Sequence, residues 1–296
     1  MPFLLLLIVA LSAGLAAAFL TRLYSRHTAH PVVELAEEAG RHATGPAARR
    51  AVRAARLDPE KATGLALTLA VAAVLGGGVV LALLTVVVRN TDVLAGLDTG
   101  AAEWGNQHAT AWSQDLITLI TGLGGTWAVV VAAVAVAAIE IARTRSRWVV
   151  PFLLVVIVGD TLLTETIKAL VDRARPELDP VAATLGPSFP SGHTSTAAAS
   201  WAAFALVAGR WWGPRAWPAL AGAAVGIAVA VGASRVLLDV HWLTDVLAGL
   251  ALGWAWFAAC AIAFGGHVLR FGAAAQAAGR GAVEGVPRAS EEAGRP

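Results

Sequence analysis

Three short polar clusters interrupt an otherwise apolar sequence: Lys168 with Arg175-Pro176, then Pro190-Ser191-Gly192-His193, then Ser234-Arg235 followed by His241 and Asp245. Together they offer three fixed cations, a hydroxyl, two imidazoles and a carboxylate. That inventory suits holding a phosphate and breaking its ester bond without a metal. Lys168 and Arg175 are seven residues apart, two helical turns, so a helix running through both would put them on one face until Pro176 stops it. Ser191-Gly192-His193 directly precedes an apolar run, so its backbone N–H groups belong at a helix N-terminus, where unpaired donors and the helix dipole bind anions. Gly192 permits close approach by a ligand. Arg235 offers a planar fork to phosphate oxygens. His241 and Asp245 are spaced i, i+4, so the carboxylate can accept from one ring nitrogen and leave the other free as nucleophile or base.

These clusters need elements to carry them, and composition says what kind. The chain has 296 residues, 57% of them hydrophobic and only 14% charged. Soluble domains carry about 25% charged residues, so much of this chain is solvated by lipid. A net charge of only +2 makes no case for nucleic acid as a partner. The single cysteine, Cys260, cannot form an intrachain disulfide. Nearly all the basic residues are Arg, the exceptions being Lys61 and Lys168, and Lys168 stands beside the polar clusters.

A spanning helix needs roughly 20 mainly apolar residues. Such runs occur at about 3–20, 65–88, 116–139, 148–167, 194–209, 216–234 and 246–266, which predicts seven helices. Trp148, Trp211, Trp212, Trp217 and Trp242 fall at their ends, as an interfacial aromatic belt would place them. Residues 21–64 hold eight Lys/Arg and five Asp/Glu; Arg143, Arg145 and Arg147, then Arg210 and Arg215, fill later loops on the same side. The intervening 89–115 loop is acidic, with Asp92, Asp98, Glu103 and Asp115 against Arg89. The positive-inside rule puts the basic loops and the tail in the cytoplasm, and all three polar clusters then lie on the external side. The first run has small residues at Ala16-Ala17-Ala18 but no Lys or Arg before it, so a retained anchor with its N-terminus outside is expected rather than a cleaved signal.

Most other polar residues have plainer readings. His27, His30, His42, His108 and His267 are expected to be hydrogen-bonded interfacial residues, and Arg143, Arg145 and Arg147 to be topology determinants. Segment 46–57 reads either as a basic helix lying on the anionic inner leaflet or as a solvated linker. Residues 99–114, with Trp104 and Trp112, admit a short interfacial helix. Glu165, three residues before Lys168, is expected to pair with it and set its position; Asp160 lies deeper and has no assigned role. A metal held by His193, Asp239, His241 and Asp245 is opposed by the three cations, which would repel a divalent ion. No metal and no cofactor is expected.

Lys168, six residues and then Arg175-Pro176, Pro190-Ser191-Gly192-His193, and Ser234-Arg235 with His241 and Asp245 resemble the type 2 phosphatidic acid phosphatase (PAP2) family in every motif position. The resemblance runs from about residue 65 to 266. It implies an all-α integral membrane fold, a six-helix bundle, here with one extra N-terminal transmembrane helix. The expected organisation is therefore 1–64, an anchor and basic cytoplasmic segment; 65–266, the catalytic membrane domain; and 267–296, a cytoplasmic tail whose composition predicts disorder from about 273. The resemblance also implies a lipid phosphatase in which His241 attacks phosphorus, Asp245 orients and activates it, and His193 protonates the leaving oxygen. Lys168, Arg175, Ser191, Gly192 and Arg235 would hold the phosphoryl oxygens. The expected substrate is an undecaprenyl diphosphate-like or phosphatidate-like lipid. A lipid transporter or flippase using the same cations is the alternative, although transporters place their sites near the bilayer midplane. A vanadate-binding haloperoxidase shares the motifs, but the membrane spans argue against it.

Overall fold

The computed structural model describes residues 2–42, 59–108, 110–176, 186–212 and 215–268, and the side chains of these except 23–42, 59–69 and 265–268. The basic segment at 46–57, the tail, and the side chains of His27, His30, His42 and His267 lie outside this description. The described residues form helices throughout: α1 (Pro2–His42), α2 (Pro59–Asn90), α3 (Ala95–His108), α4 (Ala111–Gly122), α5 (Thr126–Thr144), α6 (Val149–Val171), α7 (Gly192–Trp212), α8 (Trp217–Leu237) and α9 (Leu243–Val268). Six segments among them are long and apolar enough to cross a membrane: Pro2–Arg22, Ala70–Asn90, Thr126–Thr144, Val149–Val171, Trp217–Leu237 and Leu243–Phe264.

Helix α7 is as long as these but less apolar, and its position explains why. It is the inner helix of the bundle, packed against α6, α8 and α9, with Ala197, Ala198, Ala199, Ser200 and Ala203 almost wholly buried. A helix walled by other helices need not match lipid tails. Small residues let its neighbours come close: a Cβ added at Gly253 of α9 would lie 2.3 Å from the Ser195 carbonyl oxygen. Below the polar end, Phe152, Val156, Phe204, Val207 and Cys260 form an apolar core between α6, α7 and α9.

The third apolar run is not one helix. The expected span at 116–139 is divided at Leu123-Gly124-Gly125 into α4 and α5. Glycines favour the break, and packing leaves no room for any larger residue at Gly124. A side chain at Gly124 would meet the His193 carbonyl oxygen at 2.5 Å and Val231 at 2.7 Å. The α4–α5 turn thereby lies directly on the start of α7.

The helices alternate in direction, and their ends sort the charges. Lys168 near the end of α6, the start of α7, Arg235 near the end of α8 and the start of α9 share one end of the bundle. Arg143, Arg145, Arg147, Arg210 and Arg215 lie at the ends facing the other way. At that opposite end Glu140, wholly buried in α5, pairs with Arg210 at 2.7 Å. It also accepts from the Trp211 indole at 2.6 Å and from Thr144 at 2.9 Å. Helix α1 lies along α8, where Gly14 and Gly222 approach so closely that a Cβ on either would strike the other's backbone. Leu6 of α1 packs with Ile117 and Leu237 just beneath the polar end.

Candidate active site

The three clusters meet in one cavity of about 300 Å³, lined by Lys168, Arg175, Gly192, His193, Arg235 and His241 together with Gly124, Thr126, Thr161, Thr164, Glu165 and Thr196. Each cation arrives differently. Lys168 projects from the last turn of α6 and pairs with Glu165 at 2.9 Å. Glu165 is 62% exposed, and such exposed pairs are worth about 0–1 kcal/mol, so the pair positions the ammonium more than it stabilises the fold.

Arg175 does not sit on a helix shared with Lys168. Helix α6 ends at Val171, and Asp172 takes a left-handed conformation (φ 49°) that turns the chain away. Arg175 enters from the connection beyond and is locked by carbonyls: Nε donates to Gly186 at 2.8 Å, Nη1 to Val240 at 2.6 Å and Nη2 to Pro187 at 3.3 Å. Its Nη1 also lies 3.2 Å from His241 Nε2. Arg235, at the end of α8, donates through Nη1 to Thr121 at 3.2 Å, while its buried Nε has no protein partner. A buried guanidinium N–H of this kind is suited to an anion.

The Pro190-Ser191-Gly192-His193 cluster opens α7 as expected, after a cis Phe189–Pro190 peptide. Ser191 is not on the cavity wall. It is fully buried, its N–H donates to the Asp245 carbonyl oxygen at 3.0 Å, and its hydroxyl accepts from Thr194 at 2.9 Å. The first of these bonds joins α7 to α9. The part of the cluster suited to an anion is the first turn of α7, whose initial N–H groups have no intrahelical acceptors. A Cβ at Gly192 would stand 3.6 Å from Lys168 Nζ, an ordinary contact, so the protein itself leaves room there for a ligand to approach the backbone.

His241 is almost fully buried between α8 and α9. Because Arg175 can only donate, Nε2 facing it is the lone-pair nitrogen and Nδ1 carries the proton. Asp245 Oδ2 lies 3.5 Å from Nδ1, a contact that a small shift of either group converts to a hydrogen bond. Burial is the main force pushing the His241 pKa down, to about 4; Asp245 opposes it, and Arg175 and Arg235 add to it. The imidazole is therefore neutral at physiological pH, as a nucleophile must be.

Two further residues were outside the expected set. Asp160, fully buried on α6, accepts from Ser195 at 2.5 Å and Thr196 at 3.1 Å. It ties α6 to α7 directly behind the cavity, which gives this acid the role the sequence had not supplied. Arg173, two residues before Arg175, contacts Asp245 at 2.6 Å and Asp98 at 2.7 Å. Its signal in the sequence was only an extra arginine between two motif positions. Elsewhere His108 stacks on Trp104 and contacts its carbonyl oxygen at 2.9 Å. Among the described residues no three His, Cys, Asp or Glu side chains converge as a bound metal would require.

The model of the PAP2 superfamily matches residues 148–268, the stretch that holds all three clusters. Phosphatidylglycerophosphatase B of Bacillus subtilis (strain 168) is 35% identical over 144 residues, covering 48% of this chain and 70% of that protein. Lipid A 1-phosphatase of Rhizobium johnstonii is 33% identical over 134 residues, 40% of this chain. The chain spans about half the length of the lipid A 1-phosphatases it matches, 51% and 53%. A crystal structure of a transmembrane PAP2-type phosphatidylglycerolphosphate phosphatase from Bacillus subtilis superposes with a TM-score of 0.60 at 27% identity, covering 64% of this chain and 94% of that one. The chain belongs to the PAP2 superfamily, and its all-helical architecture is that of a multi-pass membrane protein.

Proposed function

We propose that this chain is a membrane lipid phosphatase that hydrolyses the phosphomonoester or diphosphate of a lipid through a phosphohistidine. The observation that carries this reading is the facing of His241 Nε2 and Arg175 across one cavity that also holds Lys168, Arg235 and His193. In the proposed reaction the Nε2 lone pair attacks phosphorus and the bond to the leaving oxygen breaks. Burial and then the cations, Arg235 first, push the His193 pKa down to about 4. The bound phosphate offsets those cations, so that His193 takes up a proton and gives it to the leaving oxygen, while Asp245 stabilises the positive charge growing on the His241 ring. Water then attacks the phosphohistidine, with His193 as base, and inorganic phosphate leaves. Lys168, Arg175 and Arg235 neutralise charge on the phosphoryl oxygens throughout, the task a metal otherwise performs.

The names of the relatives favour glycerophospholipid or lipid A phosphates, and the chemistry fits phosphatidate-like and undecaprenyl diphosphate-like lipids equally. The site lies at one end of the bundle, where headgroups stand, and this favours hydrolysis over transport through the midplane. Purified protein in detergent should release phosphate from at least one of phosphatidylglycerophosphate, phosphatidate, undecaprenyl diphosphate and lipid A 1-phosphate, with EDTA in excess. Absence of release from all four would refute the phosphatase reading. Release that chelation abolishes and Mg²⁺ restores would refute the metal-free part.

The external orientation rests on the basic loops at the opposite end. In a Cys260→Ser background, Asp92→Cys should react with an impermeant thiol reagent in intact cells, and Ser146→Cys should react only after permeabilisation. The reverse pattern would invert the topology and put substrate entry on the cytoplasmic face.

A further inference from the structure

We propose that Asp98 and Arg173, which lie outside the three motifs, are positioning residues that hold Asp245 in place and set its charge behind His241. The proposal rests on the phosphatase reading above and assigns the support of its central pair.

Asp245 is wholly buried, and both its oxygens are engaged. Arg173 Nη1 donates to Oδ1 at 2.6 Å and to the Thr244 hydroxyl at 2.7 Å. The Trp242 backbone N–H donates to Oδ2 at 2.9 Å, the same oxygen that faces His241 Nδ1. Arg173 in turn lies over the Trp242 ring, 5.5 Å from its centroid. Its Nη2 donates to Asp98 Oδ2 at 2.7 Å. Asp98, only 2% exposed, accepts from the Thr244 N–H at 2.9 Å through Oδ1 and from the Thr244 hydroxyl at 2.7 Å through Oδ2. Donors and acceptors in this cluster are fully matched: Thr244 receives from the arginine and donates to the acid.

The charges explain why two acids share one arginine. An Arg173–Asp245 pair alone would be neutral and would offer little to a histidine acquiring positive charge. With Asp98 on the other arm of the guanidinium, the three groups carry a net negative charge, and Asp245 keeps part of its pull on His241. Arg173 meanwhile fixes Oδ1, so that only Oδ2 can turn to the imidazole. Asp98 also caps the start of α9 through the Thr244 N–H, which keeps His241 and Asp245 in one register.

The test separates positioning from folding. Asp98→Asn retains the shape and, through its amide oxygen, the acceptor for the Thr244 N–H, but it removes the charge and turns an NH2 group toward Arg173 Nη2 and the Thr244 hydroxyl. It should lower kcat about 10–100-fold, the scale on which the outer hydrogen-bond partners of metal-bound histidines act. KM and the inhibition constant for orthovanadate should stay within about twofold, because vanadate reports on Lys168, Arg175 and Arg235. Arg173→Gln, which leaves two buried acids without their cation, should lose more, and Arg173→Lys should recover part of the loss. Thermal melting of each detergent-solubilised variant is read alongside. Wild-type kcat in Asp98→Asn would overturn the proposal. Parallel losses of kcat, vanadate affinity and melting temperature would also overturn it, since that is what a structural role alone gives. If wild-type protein hydrolyses none of the four lipids, the phosphatase reading falls and this proposal with it.

Discussion

His241→Ala should abolish turnover on every substrate, whatever the leaving group, by roughly 10⁴–10⁶-fold, the scale on which removal of a covalent nucleophile is felt. The expectation follows from the geometry of one ring. Nε2 faces Arg175 at 3.2 Å in the cavity, and Nδ1 faces Asp245. Burial keeps the imidazole neutral, with its pKa pushed down to about 4, so the lone pair is available throughout the physiological range. The variant should still bind orthovanadate, because Lys168, Arg175 and Arg235 are untouched. Rapid quenching of the wild-type enzyme during turnover should trap phosphate on protein in a form stable to base and labile to acid, and His241→Ala should trap none. An alanine variant that keeps even a hundredth of wild-type turnover would mean that phosphorus is attacked by another group, such as water.

His193→Ala should behave differently, and the leaving group should reveal the difference. His193 is assigned only to give a proton to the departing oxygen. General acid catalysis is worth about 10²–10⁴-fold, and a leaving group that departs readily as an anion needs little of it. The variant should therefore lose about 10²–10⁴-fold on an alkyl phosphate lipid and far less on p-nitrophenyl phosphate. With the good leaving group the phosphohistidine should also accumulate, because its breakdown has lost its base. If both histidines merely hydrogen-bonded the phosphate, the two alanine variants would show similar losses that ignore the leaving group. That result would overturn the division of labour between them.

The polar end of the bundle was legible in the chain because its chemistry is written in residue types that lipid does not tolerate. Apolar runs fixed the spans to within a few residues for α6, α8 and α9, and tryptophans marked their ends. Loop arginines sorted the ends into two groups, and all the reactive residues fell in one. The pairing of Glu165 with Lys168 was local, three residues along one helix, and so it could be foreseen.

What remained hidden depended on contacts between distant segments. The glycines within the third apolar run permit a break without demanding one, and the approach of the His193 carbonyl oxygen of α7 to Gly124 is a contact between distant segments. The spacing of Lys168 and Arg175 suggests a shared helical face, but Asp172 ends the helix, and carbonyls of Gly186, Pro187 and Val240 then hold the guanidinium in place. Ser191 stands in a phosphate-binding cluster by sequence, yet its N–H is taken by the Asp245 carbonyl oxygen of α9, 54 residues away, at 3.0 Å. Asp98 and Thr244 are 146 residues apart and hydrogen-bonded, a pairing no local pattern encodes. The sequence by itself determined which groups can do the chemistry and that they share one end of a membrane bundle, because hydropathy and residue type are local properties. Only the tertiary structure decided which of them face the cavity and which carboxylate stands behind which imidazole. Those choices depend on how the helices pack and where the chain turns between them.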